Sequence, residues 1–405
     1  MAAHLDRCSE DEHQCRCNLL HHHSSSLNSQ LSLPSLPSLT TGLRPAAHYH
    51  CIATFKPHHS YTSSLALAGK FLHTGSSDKQ ICLWKCATLT STSDHHDDPV
   101  PHTVEAGNGA IKSLVVLADK LFSAHQDHKI RVWRIDGREA DRHKLTRLAT
   151  LPTLGDRAAK ILVPKNHVEI RRHKKSTWVH HVDAVSGLAL SSDETLLYSV
   201  SWDRTLKIWR TGDFRCLESV RNAHDDAINA VTASPDGRIY TGSADKKIKV
   251  WERNPEEKKH TLVAVLEKHN SGINALAVSG DGAVLYSGAC DRSIVVWEKR
   301  EEGGEMAVAG ALRGHSGAVL CLAVKAELVF SGSADRSVRV WRRIGGGGGV
   351  SYCCLAVVEG HAAAVKCLAV GYNQSEPGDA TSSCVLYTGS LDSDVKVWRI
   401  SCPVI

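Results

Sequence analysis

The chain has 405 residues, 42% of them hydrophobic, and 48 Lys and Arg against 43 Asp and Glu give a formal net charge of +5. An apolar share of that size excludes a wholly disordered chain. No uninterrupted apolar run approaches the ~18 residues of a membrane-spanning helix, and the opening MAAHLDRCSEDEHQCRCNLLHHHSSS lacks the apolar stretch of a secretory signal. The unusual counts are 25 His, 14 Cys and 9 Trp, against 5 Phe and 2 Met.

Taken in chain order, residues 1–47 are rich in Ser, His and Pro and show no periodicity, so a disordered tail is expected there. Cys8, Cys15, Cys17 and His21–His23 lack the two-plus-two spacing of a zinc site, and no metal is expected. From residue 48 to 402 the pattern is all-β. Short runs such as INAVTAS, RIYTGS and KIKVW are rich in β-branched or aromatic residues and are punctuated by SPDG, SGDG and SAD turns. Helical periodicity is nowhere sustained.

Seven tryptophans close a repeated phrase: Trp84, Trp133, Trp209, Trp251, Trp297, Trp341 and Trp398. Each has an Asp six residues upstream: Asp78, Asp127, Asp203, Asp245, Asp291, Asp335 and Asp392. Each Asp has a hydroxyl residue four positions before it: Thr74, Ser123, Ser199, Thr241, Ser287, Ser331 and Thr388. A His precedes an apolar run in most copies: His181, His224, His269, His315 and His361, with His58 or His59 in the first, His58 in the better register. The second copy has Gly107 at the aligned position. Buried polar groups need partners. Each His, hydroxyl, Asp and Trp is therefore expected to form one hydrogen-bonded chain, a structural tetrad. The same residue types serve hydrolytic catalysis elsewhere, but repetition in seven copies assigns them to the fold. No phosphate loop, zinc-protease helix or nucleophile elbow is present, so neither enzyme activity nor a cofactor is expected.

Successive closing tryptophans are 49, 76, 42, 46, 44 and 57 residues apart. A period of ~40–45 residues with a Gly-His start and a Trp-Asp-like end marks the WD repeat. The chain resembles a seven-bladed WD40 β-propeller over residues 48–400. In such a ring each blade's outer strand precedes the next repeat's His, as RCLESV (Arg215–Val220) precedes His224. The last blade has no such segment after it. The similar run YHCIATF (Tyr49–Phe55) is expected to supply that strand and close the ring, giving a monomer without open edges.

The long step is an insertion, residues 152–178, between blades 2 and 3. It carries Arg157, Lys160, Lys165, Arg171, Arg172, Lys174 and Lys175, opposed over 157–175 only by Glu169. It is expected to overhang the face that bears the tetrad Asp turns. RRHKK at 171–175 also has the form of a nuclear-import signal. The residue after each tetrad Asp should lie on the same face: Lys79, His128, Arg204, Lys246, Arg292, Arg336 and Ser393. With Trp202 beside Asp203 they make a basic rim with one aromatic. This face is expected to bind acidic or phosphorylated segments of other proteins. Nucleic acid and membranes are not expected partners, given 5% aromatics and no basic-aromatic interleaving. Cys82, Cys290, Cys321, Cys367 and Cys384 fall in strands with no repeated pairing, which points to reduced thiols inside the cell. Loops are expected at 87–105, 345–349 and 371–383, with Val104 assigned to an outer strand.

The motifs LPTLGDR, LVPKN, RRHKKSTWVHHVDAVSGLAL and YSVSWDRTLKIWR, between residues 151 and 210, include the insertion. They resemble the plant JINGUBANG-type WD-repeat proteins. That resemblance implies a non-catalytic regulator of pollen germination and tube growth, acting in cytoplasm and nucleus with partners such as transcription factors. The alternative is a substrate receptor of a cullin-type ubiquitin ligase. Its W-D-x-R/K box is approached by Trp297-Glu298-Lys299-Arg300, with Glu in place of Asp.

Overall fold

The computed structural model describes residues 36–43, 47–86, 102–136, 144–156, 167–171, 174–254, 256–301, 303–345, 350–372 and 381–403. It is built from seven four-stranded antiparallel units. Two N-terminal strands come first, β1 (Thr40–Leu43) and β2 (His48–Phe55). Blade 1 is β3 (Thr62–Ala68), β4 (Phe71–Ser76), β5 (Gln80–Lys85) and β6 (His102–Glu105). Blade 2 is β7 (Ile111–Leu117), β8 (Lys120–His125), β9 (Ile130–Asp136) and β10 (Lys144–Leu151). A hairpin follows, β11 (His167–Arg171) and β12 (Lys174–Thr177). Blade 3 is β13 (Val185–Leu190), β14 (Leu196–Ser201), β15 (Leu206–Arg210) and β16 (Cys216–Val220). Blade 4 is β17 (Ile228–Ala233), β18 (Ile239–Ser243), β19 (Lys247–Arg253) and β20 (His260–Glu267). Blade 5 is β21 (Ile273–Val278), β22 (Val284–Ala289), β23 (Ile294–Lys299) and β24 (Met306–Leu312). Blade 6 is β25 (Val319–Lys325), β26 (Leu328–Ser333), β27 (Val338–Ile344) and β28 (Ser351–Val358). Blade 7 is β29 (Val365–Tyr372), β30 (Thr381–Ser390) and β31 (Val395–Pro403), completed by β2.

The innermost strands β3, β7, β13, β17, β21, β25 and β29 neighbour one another in that order, and β29 returns to β3. The ring is closed. Closure comes from the N-terminal segment identified in the sequence: β2 pairs antiparallel with β31, from His48 opposite Ser401 to Phe55 opposite Val395. Val104 lies in the outer strand of blade 1, opposite Ile81.

The core lies between blades. Apolar clusters occupy all seven junctions, each joining one blade to the next. The closing Trp of each blade packs against the blade before it. Trp84 meets Phe55 of blade 7 with ring centroids 4.4 Å apart, and burying such a ring is worth ~2 kcal/mol or more. The Thr-Gly-Ser and Ser-Gly-Ser phrases have a packing reason. A Cβ on Gly242 would stand 2.7 Å from Ile273 of the next blade, and one on Gly288 2.5 Å from Val319. Glycine there lets adjacent sheets approach closely.

One feature departs from the sequence reading. Residues 36–43, grouped by composition with a disordered tail, run along the outer rim. β1 pairs in parallel with β28, making blade 6 five-stranded. Ser38 bridges Ala311 of blade 5. A Ser- and Pro-rich stretch shows no strand alternation, yet edge pairing needs only its backbone groups. Residues 1–35 lie outside the described residues, as do 87–101, 346–349 and 373–380 of the expected loops. The insertion, whose sequence pattern assigns no strand, contains the β11–β12 hairpin, with His167 opposite Thr177.

Candidate functional site

Six of the seven repeats build the expected tetrad. Each imidazole Nδ1 lies 2.8–3.1 Å from its aspartate: His58–Asp78, His181–Asp203, His224–Asp245, His269–Asp291, His315–Asp335 and His361–Asp392. Nε2 lies 2.7–2.9 Å from the hydroxyl of Thr74, Ser199, Thr241, Ser287, Ser331 or Thr388. The indole N–H of Trp209, Trp251, Trp297, Trp341 and Trp398 donates to the same hydroxyl at 2.9 Å, and that of Trp84 at 3.4 Å. An imidazole with its proton on Nδ1 can complete the chain: indole to hydroxyl, hydroxyl to Nε2, Nδ1–H to carboxylate. At His58 burial opposes the charge, but Asp78 and Cys82 push the pKa up to about 9. The imidazoles are buried, so these groups serve packing and orientation rather than chemistry on a ligand.

Blade 2 solves the same problem differently. Its imidazole comes from His125, two residues after Ser123 on the same strand. Ser123 Oγ lies 2.7 Å from His125 Nε2 and accepts from Trp133 Nε1 at 2.8 Å, while His125 Nδ1 donates to the Gly109 carbonyl. Asp127 is taken by Arg131, whose Nη1 and Nη2 donate to its two oxygens. The guanidinium fills the space a side chain at 107 would need, since a Cβ on Gly107 would lie 2.5–2.7 Å from it. Burial first, then the Arg131 charge, drives the His125 pKa down to about 4. Aligned by position, this copy offers only Gly107; His125 and Arg131 are the residues of the same copy that mark the substitution.

The tetrad aspartates also shape the turns that carry the rim. One oxygen accepts from the imidazole, and the other accepts from the backbone N–H two residues on, at 2.9–3.1 Å, for Gln80, Thr205, Lys247, Ser293, Ser337 and Asp394. The intervening residue is left-handed in all seven turns, including that of His128, whose Asp127 bonds Arg131 instead, so the conformation belongs to the hairpin turn and the carboxylate reinforces it. Lys79, His128, Arg204, Lys246, Arg292, Arg336 and Ser393 all have φ between 67° and 74°. Burial opposes ionisation of Asp245, yet His224 and two backbone N–H groups hold its pKa down to about 2. Asp78, Asp203, Asp291, Asp335 and Asp392 are also depressed against their burial, by their imidazoles and neighbouring N–H donors. The clamps thus stay charged over ordinary pH.

The fold brings these seven positions to one face, because each lies in the turn between the second and third strand of its blade. Lys79, His128, Arg204, Lys246, Arg292 and Arg336 are exposed; Ser393 is half-buried. Lys79, Arg204, Lys246, Arg292 and Arg336 have no ion-pair partner among the described residues. Trp202 is half-buried, and Lys112 of blade 2 places its ammonium 5.3 Å from the Trp202 ring centroid.

The two ends of the insertion are tied to blade 3. Asp156 accepts from the Cys216 N–H at 3.4 Å, at the end of β16 away from the clamped turns. Lys207, itself buried, donates to the Trp178 carbonyl and to Ser219 Oγ, both at 2.6 Å. The start of the insertion therefore lies along the flank of blade 3. Arg171, Lys174 and Lys175 fall on the β11–β12 hairpin; Arg172 lies outside the described residues. In the ligase-type box, Trp297 is a tetrad member, Glu298 is held by Arg343 at 2.9 Å and Lys299 by Asp236 at 2.9 Å. Arg300 alone is exposed. No helix among the described residues is long and apolar enough to cross a membrane.

The family described as "WD domain, G-beta repeat" matches residues 49–85, 172–210, 215–252, 260–298, 307–342 and 352–399, more than half of the chain. The chain belongs to this WD-repeat family, whose propellers generally bind proteins and are typically non-catalytic. The unmatched copy is blade 2, the one with the rewired tetrad. Among individual proteins, it is similar to the small ribosomal subunit protein RACK1 of Drosophila melanogaster, 35% identical over 24% of this chain and 30% of the relative. It is also similar to the ribosome biogenesis protein WDR12 homolog of Trichoplax adhaerens, 26% identical over 44% and 48% of the two chains. A third is the human kinesin-like protein KIF21B, 25% identical over 45% of this chain and 9% of the relative. The chain thus spans less than half the length of each of these relatives.

Proposed function

We propose that this protein is a non-catalytic interaction scaffold whose clamped-turn face takes an acidic or phosphorylated segment of a partner protein. The observation that carries the reading is the ring of five exposed cations, Lys79, Arg204, Lys246, Arg292 and Arg336, at equivalent turns and without ion-pair partners among the described residues. Each stands at a left-handed position where Gly costs least, so holding a cation there forgoes ~1 kcal/mol per turn. Cations free of internal partners on one face raise the encounter rate with anionic segments and bias partner choice. The three arginines add bidentate geometry suited to carboxylate and phosphate. Trp202 and its neighbour Lys112 supply an aromatic anchor with a cation beside it.

The basic insertion, including Arg171, Arg172, Lys174 and Lys175, extends the charge, and its RRHKK run supports entry to the nucleus as well as residence in the cytoplasm. The resemblance of 151–209 to JINGUBANG-type proteins supports a plant regulatory setting, restraint of pollen germination and tube growth, with transcription factors among the partners. The ring is read as a monomer that binds neither nucleic acid nor membrane.

Affinity purification with mass spectrometry tests the reading. Wild type is compared with Arg204→Glu/Arg292→Glu/Arg336→Glu and with a form lacking residues 157–175. Partners should fall away from the triple variant while its melting temperature stays unchanged. Retention of every partner would sink the proposal. Cullin-adaptor peptides lost on Arg300→Ala would favour the receptor reading.

A further inference from the structure

The N-terminal strap runs along the outer strands of blades 5 and 6, on the far side of the sheets from the innermost strands. It crosses from blade 5 to blade 6 in extended form. The Pro37 carbonyl accepts from the Ala311 N–H and the Leu39 N–H donates to the Ala311 carbonyl, both at 3.0 Å. One step on, the Leu39 carbonyl accepts from the Tyr352 N–H of blade 6 at 2.9 Å. The strap therefore joins the outer edges of two neighbouring sheets. Its side chains are also held. Leu36 is buried in the junction of blades 4 and 5 with Leu266, Met306 and Ala311. Leu39 packs on the junction of blades 5 and 6. Arg313 donates from its backbone N–H to Thr40 Oγ1 at 3.2 Å and from Nη2 to the Leu36 carbonyl at 2.9 Å.

The ring is shaped to receive this segment. Gly310 lies under it, and a Cβ there would stand 2.6 Å from Leu39 Cγ and 2.8 Å from the Pro37 carbonyl oxygen. The matching outer-strand positions of blades 3, 4 and 6 are Glu218, Ala264 and Ala356, opposite Ile208, Val250 and Val340 as Gly310 is opposite Val296. The edge under the strap is apolar, and Tyr352, Cys353, Cys354, Leu355 and Ala356 of β28 are all buried. On β20, an outer strand that pairs with no further strand, Leu262, Val263 and Val265 stay exposed.

Adding a strand to a sheet edge is a general mode of peptide recognition: main-chain bonds give affinity and side-chain pockets give specificity. We propose that the rim groove over blades 5 and 6 is a docking site for an extended Leu-Pro-x-Leu-Thr segment of a partner protein, and that residues 36–43 occupy it as a removable ligand carried in cis. Ring closure depends on β2, so release of residues 36–43 leaves the propeller intact. A partner segment of that pattern gains access when the strap lifts.

The test uses the full chain with a protease site placed between Leu43 and His48 and cut after folding. The probe is a fluorescent peptide of residues 36–43, followed by anisotropy. It should bind the cut protein at least tenfold more tightly than the uncut chain. A Leu36→Asp/Leu39→Asp peptide should lose at least tenfold, and so should cut protein carrying Gly310→Val. Equal binding to cut and uncut chains, no binding to the cut chain, or indifference to the two leucines would overturn the proposal. The peptide arm alters nothing in the protein, so it decides the matter even where Gly310→Val does not fold.

Discussion

Blade 2 offers the sharpest test of the physical account, because an Asp–Arg pair there replaces an Asp–His pair. The perturbation is a double-mutant cycle of Arg131→Met and Asp127→Asn. The Arg131 side chain is 5% exposed and that of Asp127 19%, and the two share two hydrogen bonds. Breaking a buried pair from one side leaves an uncompensated charge and costs ~3–5 kcal/mol; the partial exposure of Asp127 puts Arg131→Met near ~3 kcal/mol. Asp127→Asn leaves the guanidinium without its counterion, at ~2 kcal/mol. Replacing both removes the charge problem, so the double variant should lose only ~3 kcal/mol rather than the sum, a coupling of ~2 kcal/mol. Equilibrium urea unfolding, followed by tryptophan fluorescence and circular dichroism, measures each corner. Additivity within ~0.5 kcal/mol would refute the claim that this pair takes over the tetrad's role. The cycle has a spectroscopic companion. Arg131→Met also removes a cation that, after burial, holds the His125 pKa down, so that imidazole should titrate higher by NMR.

Gly107→Ala should destabilise by ~2 kcal/mol, because φ is +116° and the new methyl meets the Arg131 guanidinium; a wild-type urea midpoint would count against it. Stability should fall in two acid steps. His125 has a folded pKa of about 4 against 6.5 unfolded, so the unfolded chain binds more protons between those values. Its contribution, ~3 kcal/mol, is complete above ~6.5 and lost as the pH falls to ~4; His125→Gln should make that limb of a stability–pH curve shallower, with His181 and His361, also depressed by burial, carrying the rest. The tetrad aspartates, also depressed in the folded state, add a second loss below ~3.8, down to about 2 for Asp245. Deleting residues 1–56 should convert a monomer into aggregate on size-exclusion chromatography, because β31 loses its β2 partner and becomes an open edge.

Much of the fold was legible because the tetrad couples residues at rigid spacing. Asp203 and Trp209 are six apart for a geometric reason: the Asp clamps the turn, and the Trp reaches Ser199 on the neighbouring strand, two positions from its own pairing partner Leu197. YHCIATF could be assigned to ring closure because a blade without an outer strand exposes an edge. The rewiring of blade 2 was not legible by alignment, since His125 and Arg131 reach the same place from different backbone positions. Strand β1 was hidden for another reason. Pro37 and Ser38 carry little strand preference, and the pairing rests on backbone bonds to Ala311 and Tyr352. The basic rim was readable as a list of residues after each Asp. Its common left-handed geometry was not, because it belongs to the hairpin turn, which His128 shares without the carboxylate clamp.

The central claim is that the clamped-turn face recognises anionic protein segments through its exposed cations. The most direct measurement is the association rate of a purified partner segment with wild type and with Arg204→Glu/Arg292→Glu/Arg336→Glu, across a series of salt concentrations. The account predicts a wild-type rate that falls steeply as salt rises, and a triple variant that is slow and nearly salt-independent while melting as wild type does. Equal rates and equal salt dependence for the two proteins would contradict it.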